Sequence, residues 1–139
     1  MVIVNIQHRI PSIEEYLHLR QISGLSEMSR EGAEKGLPLS LFAVVLEEQG
    51  EAIGMGRVVG DGGLFFLVSD IAVHPDYQGR GYGKVIMGEI TAYLKQHMPP
   101  RAMASLFADV PADRLYAQFG FEYAAPASLG MWLRQPLSS

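Results

Sequence analysis

Asp70-Ile-Ala-Val-His-Pro-Asp-Tyr-Gln-Gly-Arg-Gly-Tyr-Gly-Lys84 is the stretch from which the fold is read. Leu64 to Val73 reads as a long buried strand, and Pro75 forbids its simple continuation. A glycine-rich turn then opens an amphipathic helix over Gly81 to His97, with Ile86, Ile90 and Leu94 at four-residue spacing on one face. Glycine at 79, 81 and 83 removes side chains where a ligand can touch the backbone. The first amides of a helix have no internal partner and point outward at the positive end of its dipole, which favours phosphate or pyrophosphate. Arg80 and Lys84 add charge, and Gln78 is placed to orient the turn. The spacing is not Gly-x-Gly-x-x-Gly, and the turn lacks the Gly-Lys-Ser/Thr ending of a phosphate-binding loop. Local chemistry leaves two readings open: an anion cradle, or a tight strand-to-helix connection with no ligand.

Working outward, Val2, Val4 and Ile6 alternate with Ile3, Asn5 and Gln7 as in an opening strand. Ser12 and Glu15 form a capping box at the start of a helix that runs to about Ile22. A second helix is expected over Glu27 to Lys35, with Gly36 as its left-handed stop. Leu41 to Leu46 and Glu51 to Val59 read as a hairpin around Gln49-Gly50. After the long helix come a strand over Ala102 to Ala108 and a short helix over Pro111 to Phe119, stopped by Gly120. A last pair of strands is expected near Phe121 to Ala124 and Gly130 to Arg134. The order β-α-α-β-β-β-α-β-α-β specifies an α/β (α+β mixed) domain over residues 1–139, a mixed sheet with helices on its faces.

Composition narrows the function classes. Hydrophobic residues make up 48% and charged residues 19% of 139 residues, enough for one sizeable core. A net charge of -4 disfavours nonspecific nucleic-acid binding, which needs clustered Lys and Arg. With no cysteine, a thiol nucleophile, a thiolate metal site and a disulfide frame are excluded, and His8, His18, His74 and His97 lack a helix-spaced ligand pattern, so no metal is expected. No basic leader with a long apolar segment stands at the amino terminus, and the run Leu64 to Val68 is too short to span a bilayer; a cytoplasmic location with no membrane partner is the expectation.

The turn resembles the acetyl-CoA signature of the GNAT superfamily of N-acetyltransferases, Gln/Arg-x-x-Gly-x-Gly/Ala, which Gln78, Gly81 and Gly83 match, with Ile71-Ala-Val73 and Pro75 before it. The element order agrees over nearly the whole chain, although its first third carries topology without a motif. The resemblance implies a GNAT-like fold, a mostly antiparallel sheet with a splayed parallel strand pair, and an acyltransferase moving acetyl from acetyl-CoA to an amine. It implies that Gln78, Gly79, Arg80, Gly81, Tyr82, Gly83 and Lys84 hold the pyrophosphate, and that Ile71, Ala72 and Val73 offer the strand edge to the pantetheine arm. Leu115-Tyr-Ala-Gln-Phe-Gly-Phe121 is similar to the family's second motif, in which the tyrosine protonates the departing thiolate; Tyr116 is then the general acid. Read locally, Tyr116 is a half-buried packing residue. Seven residues earlier, where many relatives carry asparagine at the cofactor, this chain has Asp109, which binds the cofactor, meets substrate or caps the helix.

An alkyl ammonium must lose a proton before it attacks, and Asp70 inside an apolar strand invites the role of base. Alternation points Asp70 away from the face of Ser69 and Ile71 unless a bulge re-aims it, and a hydrogen-bonded structural carboxylate is the other reading. Ser69, Arg57 and Glu27 are the candidate acceptor contacts, with ordinary solvated charge as the bland alternative. The absence of cysteine favours direct transfer in a ternary complex over a covalent acyl-enzyme. A catalytically silent acyl-CoA-binding regulatory protein on the same fold is the alternative function, and a homodimer is expected by analogy to relatives.

Overall fold

In the computed structural model, which describes residues 3–136, a five-stranded sheet runs in the order β1-β2-β3-β4-β5. Its strands are β1 (Asn5–Gln7), β2 (Phe42–Glu48), β3 (Glu51–Gly60), β4 (Phe65–Val73) and β5 (Met103–Ser105). The helices are α1 (Ile13–Ile22), α2 (Arg30–Gly36), α3 (Tyr82–His97) and α4 (Asp113–Ala117). Neighbouring strands from β1 to β4 are antiparallel, and β5 joins β4 in parallel. The mixed, mostly antiparallel sheet with helices on both faces is the expected class. Among the described residues no helix is long and apolar enough to cross a membrane.

Each face of the sheet is closed by its own helices. On one, Ile86, Met87 and Ile90 of α3 are fully buried against Val44, Leu46 and Val58. Each such side chain contributes about 1.5–3 kcal/mol relative to exposure. Gly56 permits this contact: a Cβ there would stand 2.7 Å from Ile86 and 2.8 Å from Ile71. On the other face Tyr16 and Leu19 of α1 and Ala33 of α2 pack on Met55 and Ala72. Helix α1 starts as expected, with Ser12 Oγ accepting from Glu15 N at 3.1 Å and Ser12 N donating to Glu15 Oε1 at 2.8 Å.

Several expected boundaries move. Val2 of the opening strand lies outside the described residues. Helix α2 begins at Arg30 rather than Glu27 because Ser29 caps it, accepting from Gly32 N at 2.9 Å. Gly36 is not a left-handed stop; its φ of -89° continues the helix into a 3-10 turn over Leu37–Leu39. Gly120, with φ of 93°, does terminate its segment in the left-handed region. The strand expected over Ala102 to Ala108 shortens to β5. The closing pair near Phe121 to Ala124 and Gly130 to Arg134 is not formed: these residues carry no strand, and Tyr123, Met131, Trp132 and Leu133 are exposed. A strand needs a partner for its backbone, and this segment has none in a single copy.

Candidate active site

Strand β4 holds one residue more than β3 opposite it. Met55 pairs with Ala72 and Arg57 with Ser69, so Gly56 on β3 faces both Asp70 and Ile71 on β4. The extra residue is a bulge at Asp70, whose φ of 61° lies in the left-handed region. The bulge inverts side-chain parity. Before it, Phe66 and Val68 pack toward α3; after it, Ile71 and Val73 do, and Ala72 turns to α1. Asp70 is thereby aimed at α1 and almost wholly buried.

There it meets three donors. Arg20 Nη1 donates to Oδ1 at 2.5 Å, Tyr16 Oη to the same oxygen at 2.9 Å, and Arg57 Nε to Oδ2 at 2.7 Å. Arg20 also grips the segment between α1 and α2 through the Ser26 carbonyl, at 2.6 and 3.0 Å, and Arg57 reaches Ser40 Oγ at 3.0 Å. Directly and through its two arginines, the carboxylate ties α1, β3 and β4 to the segments that precede α2 and β2. Burial first, then the Asp70 carboxylate, pushes the Tyr16 phenol up to about 12.

Pairing between β4 and β5 stops at Leu67 and Ser105. Among the described residues no strand lies beside the outer edge of β4 from Val68 to Val73, a length of about 20 Å at the usual rise per residue. His74 N donates inward to Ile53 of β3 at 2.8 Å. The backbone groups of Val73 and Ile71 therefore face the gap, by strand alternation. Gln78 Nε2 donates to the Val73 carbonyl at 3.0 Å, which folds the glycine turn onto the end of the strand. Ile71 N–H, Ile71 C=O and Val73 N–H remain available.

The turn continues that line of open donors. Among the described residues, the amides of Gly79, Arg80, Gly81, Tyr82, Gly83 and Lys84 donate to no protein acceptor. The glycines serve different ends. Gly79 and Gly81 take φ of 81° and 84°, with open space where a Cβ would stand, whereas Gly83 lets Leu115 of α4 approach to 3.2 Å. At Gly83 the missing side chain serves packing, while its amide stays in the open line. Lys84 and Arg80 are exposed beside these amides. Arg80 lies over the Tyr77 ring at 5.0 Å and near buried Glu48, which accepts from the Tyr82 hydroxyl. The turn sets fixed backbone dipoles beside two exposed cations, an arrangement that suits an anion of pyrophosphate size.

The segment from Ser40 to Tyr123 matches the family model of the acetyltransferase (GNAT) domain, more than half of the chain. The protein belongs to the GNAT acetyltransferase family. A probable acetyltransferase of Staphylococcus aureus, itself of unknown function, is 47% identical and superposes with a TM-score of 0.92 over 96% of this chain and 100% of that one. A GNAT family acetyltransferase of Streptococcus pneumoniae is 26% identical with a TM-score of 0.78, over 96% of this chain and 100% of that one. An uncharacterized N-acetyltransferase of Porphyra purpurea is 33% identical over 69 residues, which is 50% of this chain and 38% of the relative's length. The chain spans less than two fifths of the length of the first curated relatives it matches.

Within the GNAT domain, α4 places Tyr116 in the α3-side core, buried to 9% exposure. Burial, and then the charge of Asp109, hold its phenol above the ordinary value, so it keeps its proton at neutral pH. Asp109 does not cap α4: the cap position is Ala112, which has no side-chain cap bond, and only the Asp109 carbonyl accepts, from Ala112 N at 2.7 Å. The Asp109 side chain is exposed, as is Glu27. Ser69 faces Arg57 across the sheet. Sequence reasoning missed Tyr16, Arg20 and Glu48. Each is a polar residue within an otherwise apolar or amphipathic run, and only the tertiary fold reveals its partner.

The Tyr16 contact has a pH signature. Below pH 10 both folded and unfolded states hold the phenol proton, and its contribution to stability is complete. Between about 10 and 12 the unfolded chain has released the proton while the folded chain retains it, so stability falls as pH rises through this window. A shift of that size corresponds to about 2–3 kcal/mol. Urea unfolding at pH 9 and pH 11.5 should show a steeper loss in the wild type than in Tyr16→Phe; equal losses would contradict the assignment.

Proposed function

We propose that this chain is a single acetyltransferase domain that moves an acetyl group from acetyl-CoA to a primary amine of a small molecule or peptide, by direct attack in a ternary complex. The observation that carries this reading is continuity: the free edge of β4 at Ile71, Ala72 and Val73 runs straight into the free amides of Gly79 to Lys84. A long, thin donor with a peptide-like arm and a pyrophosphate fits such a line, the arm adding a strand's worth of backbone bonds beside β4. Arg80 and Lys84 meet the phosphate charge.

In the transfer, the amine nitrogen bonds to the acetyl carbon, the carbon–sulfur bond breaks, and Tyr116 gives its proton to the departing sulfur. A buried phenol that holds its proton at neutral pH suits a general acid for a transient thiolate. The proton shed by the attacking nitrogen leaves to solvent, and the Tyr116 phenolate regains one from solvent. Asp70 enters as a positioning residue, the second of the two roles read for it, because three donors already occupy its oxygens. Its clamp keeps Ser69 and Arg57 at the gap. Arg57 spends Nε and Nη1 on Asp70 and Ser40, and Nη2 has no protein acceptor among the described residues. With two guanidiniums on one carboxylate, the acceptor side carries an excess positive charge, which favours an amine that also bears a carboxylate. Glu27 lies on the segment that Arg20 anchors and meets the acceptor's cationic end. Asp109 stands near Tyr116 at the sulfur end of the donor.

Calorimetric titration tests the donor site. Wild type should bind acetyl-CoA in the micromolar range and Gly81→Glu should lose at least about 100-fold, since the substitution strains a left-handed position and puts like charge on the phosphates. Absence of binding to the wild type at millimolar acetyl-CoA would refute the reading. Tyr116→Phe should lower kcat about 100-fold with acetyl-CoA affinity within about twofold, measured on amines with and without a carboxylate; unchanged kcat would remove the general acid.

A further inference from the structure

Part of the sheet on the α1 side is bare and apolar. Phe66 and Val68 of β4 pack toward α3, so Phe65, Leu67 and Ser69 turn to the α1 side by alternation. Their partners turn with them: Phe65 pairs with Met103, Leu67 with Val59 and Ser105, and Ser69 with Arg57. Ala104 of β5 faces the other way, into a groove of about 450 Å³ beside Leu94 and Phe121. Helices α1 and α2 close the α1 side only at the far end of β4, over Met55 and Ala72. Phe65 and Met103 are left 63% and 58% exposed, and Val59 and Leu67 beside them pack into neither core.

A parallel strand pair is ordinarily covered on both faces, and contiguous bare apolar side chains mark a binding surface. This strip leads to the candidate acceptor contacts. Along β4, Ser69 stands about 7 Å from Leu67 and about 13 Å from Phe65 at the usual rise per residue. The gap that opens at Val68 lies beside them. Arg57, opposite Ser69, keeps Nη2 without a protein acceptor among the described residues, where no unpaired side-chain nitrogen is sealed from solvent. Cation, gap and apolar strip thus meet at Ser69. Beyond Phe65, the Asp61 carboxylate closes the loop before β4, accepting from the amides of Gly63, Leu64 and Phe65 at 2.8, 2.8 and 3.1 Å.

We propose that the acceptor is a free apolar α-amino acid, held by its carboxylate on Arg57 and by its side chain on Leu67, Phe65 and Met103. The inference rests on the transfer reading above and names its substrate class. The three groups on an α-carbon diverge as these three features do: the amine turns to the gap, the carboxylate to Arg57 and the side chain to the strip. An aliphatic chain that spans one step of β4 covers Leu67, and an aromatic one extends toward Phe65. Polar side chains gain no burial there, and acidic ones meet the charge of Asp61 as well. Contacts on three sides of one carbon also fix its handedness, so one enantiomer is taken. The reaction is the one already written: the nitrogen–carbon bond forms, the carbon–sulfur bond breaks, and CoA leaves as the thiol with the proton from Tyr116.

Thiol release from acetyl-CoA, followed with a thiol-reactive dye, tests this directly, because the chain has no cysteine to compete. The amines are leucine, methionine and phenylalanine of both hands, serine, glutamate, and phenylethylamine, which is phenylalanine without its carboxylate. One hand of the apolar acids should exceed serine, glutamate and phenylethylamine by at least about 30-fold in kcat/KM. Phe65→Ser and Met103→Ser, both at exposed positions, should each raise KM for the apolar acids by about 5- to 10-fold, with kcat and acetyl-CoA affinity within about twofold. Equal use of serine, glutamate or phenylethylamine, or a preference untouched by both substitutions, would overturn the inference and leave the transfer reading standing. Thiol release with none of these amines would also overturn it, and calorimetric titration of the same sample with acetyl-CoA then shows whether the donor site falls with it.

Discussion

The Asp70 carboxylate, held between two guanidiniums and a phenol, is the constraint on which the site depends. Asp70 occupies a left-handed backbone position, a cost of about 1–3 kcal/mol that the surroundings must offset. Tyr16 and Arg20 of α1 and Arg57 of β3 supply that offset. Fixing the bulge fixes the parity of β4, and parity decides which backbone groups of Ile71 and Val73 face the gap. A bulge also bends its strand, which accounts for β4 leaving β5 soon after Leu67. Removing Asp70 leaves two guanidiniums, Arg20 buried and Arg57 largely so, without their carboxylate, a larger loss than a surface ion pair carries.

A second link joins strand to turn. Gln78 closes the turn by donating to Val73, so the amides of the turn and the edge of β4 form one continuous surface. Leu115 of α4 packs on Gly83 at the start of α3, and the next residue is Tyr116. The element that presents the phenol is thereby registered against the element that presents the amides. Packing alone thus fixes how these two elements stand to one another.

Much of this was legible in the sequence where local rules decide. The capping box at Ser12 and Glu15, the buried stripe Ile86, Ile90 and Leu94, and the glycine turn all follow from short-range chemistry, and the structure contains them. The possibility that a bulge re-aims Asp70 was visible as well, but its partners were not, because Tyr16 and Arg20 lie more than 45 residues away along the chain. Asp109 looked like a cap from its place before a helix; the helix begins later, so the cap falls on Ala112. The closing strands failed for a different reason. Period and composition around Met131 to Leu133 are those of a strand, but a strand is defined by its neighbour, and one copy of the chain provides none.

The central claim is that one line of unpaired backbone groups, from Ile71 through Lys84, is the donor site. Residue-resolved amide hydrogen exchange with and without acetyl-CoA tests it most directly. The account predicts that the ligand slows exchange at Ile71, Val73 and the amides of Gly79 to Lys84, with little change in the groove beside Leu94 and Phe121. Protection confined to that groove, or none at saturating acetyl-CoA, would contradict it.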